Sequence, residues 1–260
     1  MAKRIEYNQK TPNPIKSGNK FERLSKKSPK KRSWFKKILL FFLYLWGFSL
    51  FSVVFLKFFP VYFTPTMASR KIEALLEGKP SKIYSQWTPY KELDKNVAIA
   101  VVASEDQVFP DHNGFDFDAM LGAVKHNMKG KKIRGASTIS QQVAKNVFLW
   151  QDRSYIRKGL EVYFTFLIEL IWGKERILEV YLNVAETGPM TFGVEAACRR
   201  YYGHSGTEIS PSEAARIAAV LPSPNRFSIE NPSAYVRKRT SAIQRQMKGL
   251  GGKNYLKDLQ

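Results

Sequence analysis

The sequence predicts a mainly α-helical domain carried behind a single transmembrane helix. Three observations lead there. Ile38 to Leu56 is an uncharged run of nineteen residues, enough helix at 1.5 Å per residue to cover nearly all of the ~30 Å hydrocarbon core of a bilayer. Beyond it the apolar residues recur mostly at helical spacing. Helix start and stop signals also recur along the chain, with no repeat and no parallel βαβ series.

Taken in order, residues 1–37 hold thirteen basic and two acidic residues and are rich in Pro, Ser, Asn and Gly, so a basic, disordered cytoplasmic arm is expected. Residues 38–57 form the transmembrane helix, bracketed by Lys36, Lys37 and Lys57. It is read as a retained anchor because LKFFPVYFTP, not a small-residue cleavage site, follows it. The excess of cations before it places the N-terminus in the cytoplasm and residues 58–260 outside, in the periplasm of a bacterium with an inner membrane.

In the exported part, Asp94 to Ala103 opens a helix, although VAIAVV also reads as a strand. Ser137 to Leu149 is a second helix, and Ser154 to Trp172 a third, with Ser154 as N-cap and Gly173 as terminator. Because VYFTFLIELIW is apolar almost all round, that third helix is expected to be mostly buried. Lys174 to Asn183 follows. Ser210-Pro211-Ser212-Glu213 is a capping box opening AARIAAVL, and a last helix spans about Pro232 to Lys248.

Composition excludes several classes. With 44% apolar residues the 260-residue chain builds a real core. A single cysteine, Cys198, forbids an internal disulfide, and no Cys/His cluster has zinc spacing. The net charge is +20, of which the arm supplies +11; subtracting the arm and Lys57 leaves +8 outside. A nucleic-acid partner is not expected, since the orientation rule already accounts for most of that excess.

Three clusters carry candidate chemistry. Glu105 ends an apolar element in ASEDQVFPDHNGFD. A carboxylate there suits a general base, but on this feature alone a cap or a salt bridge at Glu105 or Asp106 is the preferred reading. His112 and Asp116 invite a dyad reading, but without a nucleophile motif a structural role for the imidazole is preferred. RGASTISQQVAKN reads as a loop entering a helix, with Gln141 and Lys145 on one face toward an anion or sugar, or as a polar surface start. It is not a Walker A loop. In DRSYIRKGLE, Arg157 and Lys158 stand one turn before Glu161, and Arg153 lies near the helix start.

SEDQVFPDHNGFD, GASTISQQVAKN, RKGLE, KERILEVYLNVAETG and GVEAACRRYYG occur in this order from about Ser104 to Gly203, and SPSEAARIAAVLPSPNRFS continues the series. On these stretches the chain resembles the peptidoglycan glycosyltransferases of family 51, most closely its monofunctional biosynthetic members, with no transpeptidase domain expected. The resemblance implies a lysozyme-like helical fold with a smaller, membrane-proximal jaw. It implies lipid II as substrate, polymerised into β-1,4 glycan with inversion and release of the polyprenyl diphosphate. Glu105 is then the general base and Glu161 the second carboxylate. Lys145 and Arg153 face the diphosphate, Ser137 and Gln141 line the site, and Arg157 and Lys158 support it. No resident metal is implied, although a divalent cation such as magnesium at the diphosphate is compatible. The growing glycan strand and the inner membrane are the partners, with neighbouring cell-wall synthases or division proteins suggested by location. The rival readings are a membrane-anchored lytic enzyme of the same architecture and a non-catalytic cell-wall scaffold.

Two stretches depart from commoner residues in such enzymes: TGPM, Thr187 to Met190, and the run Cys198-Arg199-Arg200. Cys198 is expected to be a buried small residue. The basic stretch Lys125 to Arg134 is expected to be a mobile segment at the membrane surface.

Overall fold

The computed structural model describes residues 30–130, 135–152 and 154–259. Most of the arm and residues 131–134 of the expected mobile segment therefore lie outside the described residues. Two compact units, 1–47 and 48–260, divide within the first helix. That helix, α1 (Lys30–Phe58), begins eight residues before the apolar run. Its stretch Trp34–Phe58, of mean hydropathy 2.3, is long and apolar enough to cross a membrane by length and composition.

In the second unit, the last turns of α1 are fastened to the domain. Ser49 shares a 2.8 Å hydrogen bond with the Tyr163 hydroxyl. The Trp172 indole donates to the Val53 carbonyl at 2.7 Å, and Arg176 donates to that of Leu56 at 2.7 Å. A helix α2 (Pro65–Leu76) follows, which the sequence pattern did not reveal; Thr64 caps it and Pro65 occupies its first turn.

Two helical groups form the core. In the first, α3 (Lys95–Glu105) packs on α9 (Pro211–Val220) and α10 (Ala234–Gly249). Every residue from Val97 to Ala103 is buried. This resolves the ambiguity of VAIAVV: Asp94 caps a helix enclosed on all sides, so no polar alternation marks its period. In the second group, α5 (Ile139–Phe148) packs on α6 (Tyr155–Ile171) and α7 (Lys174–Val184). The Ser210–Glu213 capping box is formed as expected.

Three findings differ from the expectations. Lys125 to Met128 form the end of a regular helix, α4 (Phe117–Met128), capped by Asp116. In α6 the buried residues are Glu161, Thr165, Leu167 and Ile168, while Val162, Phe166 and Leu170 are exposed. Spaced by four, those three form an outward apolar row, so the helix is apolar all round without being buried all round. A small sheet also appears, with β1 (Tyr84–Ser85) parallel to β3 (Thr191–Phe192), which pairs antiparallel with β2 (Glu186–Gly188). Strands this short leave no periodic signature. Helix α8 (Val194–Tyr201) follows, opened by Gly193 at φ 83°, where a Cβ would stand 2.6 Å from the Asn183 carbonyl oxygen.

Candidate active site

A cleft of about 890 Å³ lies where the end of α3, the entrance of α5 and the start of α10 meet, and Glu105, Ser137, Gln142 and Arg239 are among its walls. Glu105 is the last residue of α3, so the buried helix behind it fixes where the carboxylate emerges. Gln142 Nε2 donates to Glu105 Oε2 at 3.2 Å. On the other oxygen, Ser104 Oγ stands at 3.0 Å and Arg239 Nη2 at 3.4 Å. Gln142 is itself oriented by the Tyr181 hydroxyl, which donates to its Oε1 at 3.1 Å. Burial, with Glu105 and Asp106 nearby, raises the Tyr181 hydroxyl well above its ordinary range and keeps it a donor.

Asp106 and His112 lock the loop beneath. Asp106, 6% exposed, takes His112 Nε2 on both oxygens at 3.0 Å and accepts the first amide of α5, Ile139 N–H, at 3.0 Å. His112 Nδ1 accepts from Gly114 N–H at 3.0 Å, so the proton on Nε2 faces the carboxylate. The Thr138 hydroxyl completes the lock on the Gly114 carbonyl at 2.7 Å. Gly114 has φ 86°, and a Cβ there would stand 2.9 Å from the Thr165 methyl carbon. The imidazole is therefore structural, and Asp116 is a helix cap.

Glu161 is not among the cleft walls. It is 3% exposed, with Arg157 Nη1 on one oxygen at 2.7 Å and Lys158 Nζ on the other. Lys145 joins this cluster from α5. Desolvation lowers its amine below the ordinary lysine range, opposed by Glu161 and reinforced by Arg157, Lys158 and Arg70. Among the described residues Lys145 has no ion-pair partner, which leaves a desolvated cation beside a carboxylate that two other cations already hold. Helix α5 links the two places: Gln142 holds Glu105, and Lys145, three residues on, carries its charge within electrostatic reach of Glu161.

Of the expected site residues, Ser137 lines the cleft and is exposed. Gln141 does not line it: its Oε1 accepts from Thr138 N–H at 3.0 Å in a capping box, and the side chain is buried. Arg153 lies outside the described residues. No group of three or more His, Cys, Asp or Glu suited to a metal ion occurs among the described residues. Since Glu161 spends both oxygens on Arg157 and Lys158, the donor set does not fit a divalent cation held by the protein. Burial pushes the Cys198 thiol up to about 12, so no thiolate nucleophile stands there.

The profile of the transglycosylase family matches residues 71–248. The chain belongs to that family. It is a glycosyltransferase with the lysozyme-like helical fold. Among its relatives, the biosynthetic peptidoglycan transglycosylase of Chromohalobacter salexigens is 49% identical over 232 residues, 88% of this chain and 99% of that protein. The proteins of the same name from Pasteurella multocida and Pseudomonas aeruginosa are 51% and 46% identical, over 80% and 86% of this chain and 85% and 97% of their own lengths.

Within this transglycosylase, sequence reasoning missed Gln142, Arg239 and the Asp106–His112 lock. A T-x-x-Q capping box at Thr138 would have shown which of the paired amides turns inward. Arg239, 134 residues from Glu105, had no local signal. The KERILEVYLN stretch is largely structural. Asn183 Oδ1 accepts from Thr88 N–H at 2.8 Å, and its Nδ2 donates to the Thr88 and Glu179 carbonyls at 2.9 and 2.8 Å.

Proposed function

We propose that this transglycosylase makes peptidoglycan by polymerising lipid II, a disaccharide-peptide on a polyprenyl diphosphate, into β-1,4-linked glycan. The observation that carries the reading is the pairing, through α5, of a cleft-wall carboxylate with a cationic cluster one helical turn away. Glu105 takes the proton from the acceptor sugar's 4-hydroxyl as that oxygen attacks the donor's anomeric carbon. The bond from that carbon to the diphosphate oxygen breaks on the opposite face. The configuration inverts, and the departing diphosphate takes the electron pair. Lys145, with Arg153, stabilises the charge that grows there, an effect larger in the transition state than in the ground state. Glu161 acts by holding Arg157 and Lys158 beside Lys145. Ser137 lines the acceptor side.

The chain sits in the bacterial inner membrane, with residues 1–37 cytoplasmic, 38–57 spanning and 58–260 periplasmic. The apolar span and the basic residues before it support this. So do two exposed apolar rows, Phe117, Leu121, Val124 and Met128 on α4 and Val162, Phe166 and Leu170 on α6, which would form a jaw entering the bilayer where the lipid substrate resides.

Purified full-length protein with labelled lipid II should give polymer. Glu105→Gln should lower turnover by about 10²–10⁴-fold, the usual worth of a general base, without lowering thermal stability. Polymerisation by Glu105→Gln at the wild-type rate would remove Glu105 as the base. Breakdown of preformed glycan without synthesis would favour a lytic enzyme.

A further inference from the structure

Thr187 to Met190 and Cys198 to Arg200, the two stretches that the sequence reading set apart as departures, both reach one cavity away from the Glu105 cleft. It measures about 570 Å³ and lies between α2, β1 and the β2–β3 turn. Pro189 and Met190, from the first departure, form one wall, and Arg200, from the second, lies beside them. Arg200 donates to the Pro189 carbonyl at 3.1 Å and to Thr191 Oγ1 at 2.9 Å, and its guanidinium lies 4.3 Å from the Tyr84 ring centre. Lys82 Nζ lies 5.2 Å from the same ring.

The cavity's charges are not all neutralised. Arg70 is taken up by Glu73 and Glu186, and Lys79 by Glu77. Lys82 and Arg200 have no carboxylate partner among the described residues. Two cations without a carboxylate partner lie on one exposed aromatic ring, Arg200 held in place by Pro189 and Thr191 through Nη1 alone, and beside the apolar surface of Ala74, Pro80 and Met190 they suit a ligand with carboxylates and small apolar groups.

Resting on the proposed function, we infer that this cavity is a peptide subsite: Lys82, Tyr84 and Arg200 take the carboxylates of the peptide carried by the glycan strand. The subsite tells acidic peptides from amidated ones and leaves the glycosyl-transfer step untouched.

Two measurements on the full chain in detergent test this. The first is binding of a fluorescently labelled disaccharide-peptide without lipid, in free-acid and fully amidated forms. Wild type should bind the acid form about tenfold more tightly. Lys82→Ala and Arg200→Ala should each weaken that binding about threefold, and together should abolish the preference, as expected for partly exposed ion pairs. The second is polymerisation of lipid II with the same two peptides: the double variant should raise KM for the acid substrate about tenfold with kcat unchanged, and leave the amidated substrate alone. Equal binding of the two forms by wild type, or an equal shift for both substrates in the double variant, overturns the subsite. If wild type polymerises neither substrate, the synthase reading fails, and the lipid-free binding measurement still decides whether the cavity reads carboxylates.

Discussion

Replacing Asp106 tests how far the site depends on a residue that touches no proposed reacting atom. Its carboxylate is 2% exposed and receives two donors, His112 Nε2 and Ile139 N–H, each at 3.0 Å. Asp106→Ala leaves both donors buried without an acceptor. Hydrogen bonds to a charged group are worth about 1.5–3 kcal/mol each, so roughly 3–6 kcal/mol should be lost. Asp106→Asn keeps one acceptor oxygen and turns an amide N–H toward the other donor, so it should lose roughly half as much. Since Asp106 follows Glu105 and anchors the first turn of α5, which bears Gln142, turnover should fall in both variants in the same order. Unfolding in denaturant, followed by tryptophan fluorescence in detergent, reads the stability; lipid II polymerisation reads the turnover. An Asp106→Ala protein with the wild-type midpoint and wild-type turnover would refute the reasoning.

Further predictions concern other parts of the chain. Met190 has φ 54° after Pro189 in the two-residue β2–β3 turn; Met190→Gly relieves about 1 kcal/mol of left-handed strain and should raise the melting temperature. Lys145 has a folded-state pKa below its unfolded value, so the unfolded chain binds more protons between the two. Its contribution to stability therefore rises with pH through that window and is lost as pH falls below the lowered value. The stability difference between wild type and Lys145→Met, measured by denaturant unfolding from pH 7 to 10.5, should increase in favour of wild type as the pH is raised. Trp172→Phe removes the donor to the Val53 carbonyl and should cost about 1 kcal/mol by the same unfolding assay.

Much of the fold was legible because the signals were local. Ser154, Gly173 and the Ser210–Glu213 box mark helix ends through hydrogen bonds spanning no more than one turn. The arrangement of Arg157, Lys158 and Glu161 was legible for the same reason, since one turn of helix fixes their spacing. The outward row of α6 was not, because periodicity shows that a helix is apolar without saying whether protein or lipid covers it. The β strands escaped notice because two or three residues hold no period. Gln141 and Gln142 are chemically identical and adjacent; only the register set by Thr138 sends one into the cap and the other toward Glu105.

The sequence by itself determined the apolar span, the helical character of the domain, and the carboxylate of Glu161 with its neighbouring cations Arg157 and Lys158, because each is written within a few turns of chain. Tertiary structure alone decided that Arg239 stands at Glu105, that Asp106 and His112 fasten the loop to α5, and that Tyr84, Met190 and Arg200 border one cavity. The physical reason is range. A helix fixes the geometry of residues three or four apart, whereas groups a hundred residues apart meet only through the packing of buried faces, which many sequences satisfy and no short pattern encodes.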